Sequence, residues 1–144
     1  MTVAKILMSK GSSDVMTVSP GALVSEVTQI LSEKRIGGLV VSSDGRTVQG
    51  IVSERDIVRE IGRRGQSCLG DRVEDMMTSD IVTCSRSDKA DAVLTTMTNG
   101  RFRHMPVVED GVMVGLITIG DVVKYRLSEL AMEKDALEGM IMGY

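Results

Sequence analysis

The sequence predicts an α+β fold in which a strand–helix–strand–strand–helix unit (βαββα) occurs twice and a helical extension follows. The strongest observation is a duplicated motif, since residues 50–58 read GIVSERDIV and residues 115–123 read GLITIGDVV. Each copy has a glycine, two strand-forming aliphatic residues, a small hydroxyl residue, and an aspartate followed by an apolar pair. The aspartates, Asp56 and Asp121, are 65 positions apart (121 − 56). A period of this length is a complete supersecondary unit, and two such units can bury their apolar faces against each other.

The first unit begins with a short helical lead-in, which the apolar spacing of residues 2–8 indicates. Apolar periodicity and turn residues assign the elements after it. In order, these are a loop at 9–13, a strand at 14–18, a helix with Val24, Val27, Ile30 and Leu31 on one face, a strand at 39–41, an Asp-Gly turn at 42–46, a returning strand at 48–52 and a helix at 56–61 that Gly62 ends. Residues 63–71 contain glycine and polar residues and are predicted to be a loop between the units.

The second unit repeats this order, with Asp80 matching Asp14 at an offset of 66 (80 − 14). Its predicted parts are a lead-in with Val73, Met76 and Met77, a strand at 80–83, a helix through Val93 and Met97, an Asp110-Gly111 turn between two strands, and the second copy of the motif. The chain is therefore divided into residues 1–70 (first repeat with lead-in and connector), 71–126 (second repeat) and 127–144 (helical tail).

The tail is predicted to continue the last helix of the second repeat. Its apolar residues alternate four and three positions apart, with Lys134 occupying one position of the stripe; they are Val123, Leu127, Leu130, Leu137 and Ile141. A stripe of this kind requires a partner surface. Periodicity leaves two alternatives open, packing onto the chain's own domain or contact with another subunit.

Composition excludes several classes of function. The net charge of −3, the 2% aromatic content and the absence of tryptophan argue against nucleic-acid binding. Cys68 and Cys84, with a single histidine in the chain, do not provide a zinc site, although the sequence leaves a disulfide between them open. No signal segment or membrane span is recognisable, which predicts a cytoplasmic protein without membrane contact. No nucleophile–base pair or P-loop occurs, so neither catalytic residues nor metal ligands are assigned.

The duplicated motif has a structural and a chemical explanation. Ser53 and Thr118 lie where a strand gives way to a helix, and both residue types are favoured N-caps. Asp56 and Asp121 fall in the first helical turn, where the helix dipole favours a carboxylate. The same geometry attracts phosphate to the helix N-terminus and lets the carboxylate accept hydrogen bonds from ribose hydroxyls. Capping alone does not require the whole motif twice, so the repetition favours nucleotide binding.

The sequence resembles a known family at this point. RHMPVV at 103–108, followed by GLITIGD at 115–121, resembles the CBS domain, the unit of the Bateman module named after cystathionine β-synthase. The resemblance covers roughly residues 5–126, and it is looser in the first repeat, where Gly38 stands in place of His104. With no catalytic domain attached, the chain resembles the stand-alone CBS-pair proteins of bacteria. It implies two βαββα repeats packed with pseudo-twofold symmetry and a non-enzymatic regulatory function.

The resemblance also implies a ligand that contains adenosine, with AMP, ATP or NAD(H) expected ahead of S-adenosylmethionine. The ligand would occupy two clefts between the repeats, with the Asp on ribose, the Ser or Thr facing phosphate, and the adenine against aliphatic residues of the other repeat. By position, the first cleft uses Ser53, Arg55, Asp56, Thr78, Ile81, Val82, Arg103 and His104. The second cleft uses Thr118, Asp121, Val15, Met16, Ile36, Gly37 and Gly38.

The two clefts are predicted to differ in charge. Arg55 and Arg103 supply guanidinium groups to the first cleft, and such groups bind phosphate well. The second cleft has glycines at the corresponding positions and is expected to contain no cation. We therefore expect the first cleft to bind a phosphorylated nucleotide more tightly.

The resemblance further implies a homodimer, with the tail available for an additional subunit contact or an unidentified protein partner. Ligand binding would then shift the balance between arrangements of the module or of its dimer. The alternative is a constitutive protein-interaction module in which the clefts are vestigial and the tail docks onto another protein. The paired Asp and Ser/Thr residues favour the nucleotide sensor, because a scaffold has no use for both.

Overall fold

The computed structural model describes residues 1–11 and 15–142, which alternate helices and strands in the predicted order. The α-helices are α1 (Val3–Ser9), α2 (Val24–Lys34), α3 (Glu54–Arg64), α4 (Ala90–Gly100) and α5 (Ile119–Met142). The strands are β1 (Thr17–Val18), β2 (Gly38–Val41), β3 (Gly50–Ser53), β4 (His104–Glu109) and β5 (Val112–Thr118). Two 3₁₀ helices, Gln66–Gly70 and Val73–Asp75, lie between the repeats. The predicted α+β class, with two repeats and a C-terminal helix, is confirmed.

Each repeat has its own small sheet. In the first, β1 pairs with β2 in parallel and β2 pairs with β3 antiparallel. In the second, β4 and β5 form an antiparallel pair with a register shift between Val107 and Val108. A third group of apolar side chains joins the two sheets, with Val40 and Ile51 from the first repeat and Met113 from the second. The sheets therefore face each other across a shared core.

Several predicted boundaries are wrong. No strand forms at 80–83, because ladder pairing begins only at Cys84, which bridges to Val107 in parallel. The strand predicted at 14–18 is reduced to β1, and Asp14 lies outside the described residues.

Gly62 does not end the first motif helix, and α3 continues to Arg64. Its last turn is supported by ion pairs from Arg63 and Arg64 to Glu60. The connector predicted as loop holds the 3₁₀ helix Gln66–Gly70.

The two lead-ins are exchanged between the repeats. Helix α1 belongs to the first repeat in sequence, yet Val3 and Ile6 are fully buried in the core of the second repeat. Val73, in the lead-in of the second repeat, is fully buried in the core of the first. Backbone hydrogen bonds fix both crossings, from Val3 N–H to Asp88 O at 2.9 Å and from Val73 N–H to Ala22 O at 2.7 Å. Neither repeat can therefore complete its core without a segment from the other.

The first glycine of each motif makes this exchange possible. A Cβ on Gly50 would lie 2.5 Å from Met77 Sδ and 2.9 Å from the backbone oxygen of Thr78. A Cβ on Gly115 would lie 2.7 Å from Leu7 Cδ2. Met77 and Leu7 belong to the lead-ins, so both glycines provide the space in which the crossing segment packs.

The tail continues α5 as one helix of 24 residues, as predicted. Its apolar stripe does not pack back onto the chain's own domain, since Leu127 is 61% exposed and Ile141 is 84% exposed. Contact of the tail with another subunit or a partner stays a prediction. No helix in the described part of the chain is long and apolar enough to cross a membrane.

The structure also decides the pairing of the thiols. Cys68 and Cys84 are both buried and free, so the disulfide between them does not form. Burial, with the negative charges of Asp88 and Glu109, raises the pKa of the Cys84 thiol to about 12. Cys84 packs in the core of the second repeat and is therefore a core residue that stays protonated at neutral pH.

Candidate functional site

The first motif builds a closed cap at the start of α3. Ser53 N–H donates to Asp56 Oδ2 at 2.9 Å, and Asp56 N–H donates to Ser53 Oγ at 3.3 Å. This reciprocal arrangement is a capping box. Arg59, one helical turn later, donates to Asp56 Oδ1 at 2.8 Å. Asp56 is therefore held at the end of β3 and is only 8% exposed, while its second carboxylate oxygen pairs with an exposed arginine.

The second motif repeats the cap but pairs its carboxylate differently. Thr118 N–H donates to Asp121 Oδ2 at 2.9 Å, and Asp121 N–H donates to Thr118 Oγ1 at 3.1 Å. The cation on this carboxylate is Lys10, whose Nζ lies 2.8 Å from Oδ2. Burial acts to raise the pKa of Asp121, but the hydrogen bonds from Lys10 and Thr118 outweigh it, so the pKa lies below the ordinary value.

Both caps open into one cavity of about 1140 Å³ between the repeats. All fifteen residues singled out from the sequence line this cavity; they are Ser53, Arg55, Asp56, Thr78, Ile81, Val82, Arg103, His104, Val15, Met16, Ile36, Gly37, Gly38, Thr118 and Asp121. The residues predicted for the two clefts thus line a single cavity, and we call its parts beside Asp56 and Asp121 the Asp56 arm and the Asp121 arm. That these residues bind a ligand stays a prediction.

The cavity is more cationic than the chain as a whole. Among its described lining residues are six cations, namely Lys10, Arg35, Arg55, Arg59, Arg101 and Arg103. The carboxylates number four, namely Glu54, Asp56, Asp80 and Asp121. The lining therefore carries two positive charges more than negative ones, whereas the whole chain carries a net charge of −3. An excess of guanidinium and ammonium groups at two helix N-termini favours an anionic ligand.

The expectation that the second cleft contains no cation is wrong, because Lys10 lies in it. No sequence pattern pointed to Lys10, which is 111 positions from Asp121 and reaches it only through the exchanged lead-in. Arg59 was also missed, although its spacing of three residues from Asp56 on a helix was visible in the sequence.

His104 and Gly38 occupy equivalent positions in the two repeats and face each other in the cavity. A Cβ on Gly38 would lie 2.9 Å from His104 Cε1, so the imidazole fills the space that the glycine leaves. A side chain at position 38 would therefore collide with the imidazole as it is placed, which gives a physical reason for the glycine in the first repeat. Burial, followed by the positive charge of Arg103, lowers the pKa of His104 and favours the neutral imidazole.

Apolar surface remains uncovered within the cavity. Met16 is 43% exposed and Val82 is 43% exposed, although both line the cavity. Ile36 is exposed to a similar extent. A flat apolar ring placed in either arm would cover these side chains. The cavity thus combines caps, cations and apolar walls, the three features that a nucleotide requires.

The comparisons with known proteins agree with this architecture. The sequence model of one family, described as CBS domain, matches residues 3–63 and 73–128. A mitochondrial CBS domain-containing protein of Arabidopsis thaliana, CBSX3, is 31% identical to the chain over an alignment that covers 99% of this chain and 72% of the relative.

Two solved structures resemble the fold. The CBS-domain containing protein ATU1752 from Agrobacterium tumefaciens is 38% identical, with a TM-score of 0.83 and coverage of 88% of this chain and 99% of that one. The CBS domain pair of protein MJ0100, solved in complex with 5-methylthioadenosine and S-adenosyl-L-methionine, has a TM-score of 0.77. It covers 90% of this chain and 98% of its own, and at 22% identity it shows the likeness of the fold alone.

Proposed function

Because the chain belongs to the CBS-domain family, with two copies of the domain, we propose that it is a non-enzymatic regulatory module that binds an adenosine-containing nucleotide between its repeats. One observation carries the proposal. Asp56 and Asp121, each part of a helix N-cap, line a single cavity whose other lining residues include an excess of cations and exposed apolar side chains. Carboxylates accept hydrogen bonds from ribose hydroxyls, cations bind phosphate, and apolar walls bury adenine.

The relatives support the adenosine part of this proposal. The CBS pair of MJ0100 binds two ligands that contain adenosine, 5-methylthioadenosine and S-adenosyl-L-methionine. Neither of those ligands carries a phosphate. The six cations that line the cavity here favour a phosphorylated ligand, so we propose AMP, ATP or NAD(H) ahead of S-adenosylmethionine.

The ligand would act by bridging the repeats. Its ribose and phosphate would contact the motif of one repeat, while its base would lie against residues such as Val82 or Ile36 of the other. A ligand shifts a conformational equilibrium only by its differential affinity for the two states. A nucleotide that contacts both repeats binds most tightly to the arrangement in which both repeats face the cavity. This arrangement therefore has the higher affinity for the nucleotide.

A thermal-shift panel of AMP, ADP, ATP, NAD, NADH and S-adenosylmethionine tests the proposal. A ligand at about 100 times its dissociation constant should stabilise the native protein by about 2.7 kcal/mol. The Asp56→Asn and Asp121→Asn substitutions keep an oxygen that can cap the helix. They remove the negative charge of the carboxylate that would accept hydrogen bonds from the ribose hydroxyls. Each should weaken binding in its own arm by roughly 10- to 100-fold, since hydrogen bonds to charged groups are the strong ones.

Asp91→Asn is the matched control, because Asp91 lies in the first turn of α4 and is not among the residues that line the cavity. It should leave every shift unchanged. We expect the larger loss from Asp56→Asn, since the sequence predicts that Arg55 and Arg103 contact the ligand in that arm. The absence of a shift with all six ligands on the unmodified chain would refute the proposal.

A second observation favours an interaction function in addition. Helices α3 and α5 expose Val58 and Val123 at equivalent positions of the two repeats, with Ile61 and Leu127 beside them. Exposed apolar residues at equivalent positions of two helices indicate a protein contact. We propose that this face is the interface of a homodimer. If the dimer forms while no nucleotide binds, the constitutive interaction module becomes the better description.

Sedimentation equilibrium tests the dimer. Val58→Lys places a charge in the proposed interface and should weaken the dimer at least tenfold, because an unpaired charge cannot be buried there without a large loss of hydration. Ser128→Lys adds the same charge at an exposed polar position of α5 and should leave the dissociation constant unchanged. A monomeric unmodified chain, or equal effects of both substitutions, would contradict this interface.

A further inference from the structure

Lys10 occupies the arm of the cavity that contains Asp121. It is the C-cap residue of α1, and its backbone N–H donates to Ile6 O at 3.2 Å and Leu7 O at 3.3 Å. Its ammonium group donates to Asp121 Oδ2 at 2.8 Å and to Leu116 O at 2.8 Å. The side chain of Lys10 is about one third exposed. The backbone is therefore anchored by the helix, while the ammonium group lies in the cavity.

The two motif aspartates thus have cations of different origin. Asp56 is paired with Arg59 of its own helix, at a spacing of three residues. Asp121 is paired with a lysine from the exchanged lead-in, 111 positions away in sequence. Arg59 is 62% exposed and can return to water when a ligand displaces it. Lys10 is 31% exposed, about half as much as Arg59, and its ammonium group lies between a carboxylate and a backbone carbonyl.

We propose that Lys10 makes the Asp121 arm selective for adenosine ligands that carry a phosphate, by exchanging its contact with Asp121 for one with the phosphate. This inference rests on the proposed function and specifies the ligand class of one arm. Ribose hydroxyls that donate to Asp121 compete with Lys10 for the same carboxylate. An uncharged nucleoside whose hydroxyl takes Asp121 Oδ2 would remove the charge-assisted hydrogen bond of Lys10 and leave its ammonium group only the carbonyl of Leu116, which is costly in a partly buried site.

A phosphorylated ligand removes that cost. Its anionic group supplies the displaced ammonium with a charge-assisted hydrogen bond as strong as the one it loses. The flexible four-carbon stem of lysine permits the movement without any shift of α1. The Asp121 arm should therefore discriminate between adenosine and AMP, although the glycines at its motif positions supply no charge.

Isothermal titration with adenosine and with AMP measures this discrimination. The measurements use the full chain with Asp56→Asn, so that the Asp121 arm dominates binding. Adding Lys10→Gln should reduce the preference for AMP over adenosine by about tenfold, through weaker binding of AMP and tighter binding of adenosine. Lys10→Arg keeps the positive charge and should preserve the preference.

Lys5→Gln is the control for net charge, because Lys5 is exposed on the same helix and does not line the cavity. It should leave the preference unchanged. An unchanged preference in Lys10→Gln would overturn the role of Lys10 while leaving the proposed function intact. If the Asp56→Asn protein binds no AMP at all, the role of Lys10 is also overturned, since the Asp121 arm then binds no AMP. Failure of the unmodified chain to bind AMP or any other adenosine ligand would overturn both proposals.

Discussion

Ile6→Ala should lower the free energy of unfolding by about 2–5 kcal/mol, although Ile6 lies in a seven-residue helix near the N-terminus. Ile6 is fully buried, and it packs in the core of the second repeat with residues such as Val93 and Met97. Removing its three side-chain carbons beyond Cβ leaves a cavity that the surrounding strands cannot close. Urea denaturation followed by circular dichroism measures the loss.

Met8→Ala is the control, because Met8 lies on the same helix and is 80% exposed. Its effect should stay within about 0.5 kcal/mol. A double-mutant cycle locates the contact, since Ile6→Ala should couple with Val93→Ala in the second repeat and not with Val27→Ala in the first. Coupling to Val27 instead would contradict the exchange of the lead-ins.

Gly50→Ala is expected to cost about 3 kcal/mol, at the upper end of the range for overpacked sites. The new Cβ would lie 2.5 Å from Met77 Sδ and 2.9 Å from the backbone oxygen of Thr78. The Met77 side chain can rotate away, but Thr78 cannot, because its N–H and C=O both pair with Ile51 at 2.9 and 3.0 Å. The substitution must therefore disturb the bridge that holds the second lead-in.

Gly115→Ala is the matched substitution in the other repeat. Its nearest neighbours are the side-chain carbons Cδ2 and Cδ1 of Leu7, at 2.7 and 3.1 Å, and no backbone atom lies among them. Leu7 can adjust, so Gly115→Ala should cost less than Gly50→Ala in the same denaturation experiment. Equal costs would show that the backbone oxygen of Thr78 is not the limiting contact.

Much of the fold followed from the sequence because its determinants are local. The duplicated motif identified the two repeats, and the Ser53 and Thr118 caps form where the strand-to-helix transition predicted them. The helix predicted from the apolar residues at 24–31 and the two Asp-Gly turns also depend only on residues that are close together in sequence. The strand predicted at 80–83 failed because β propensity has no effect where no neighbouring strand offers a ladder partner.

The sequence by itself determined the repeats and the helix caps, and its resemblance to the CBS domain identified fifteen of the residues that line the cavity. Only the tertiary structure decided that the lead-ins cross, that the two arms form one cavity and that Lys10 pairs with Asp121. The physical reason is that caps, turns and helix faces depend on neighbours along the chain, which a single sequence displays. A contact across 111 positions depends on which segment fills which core, and no local pattern in the chain records that choice.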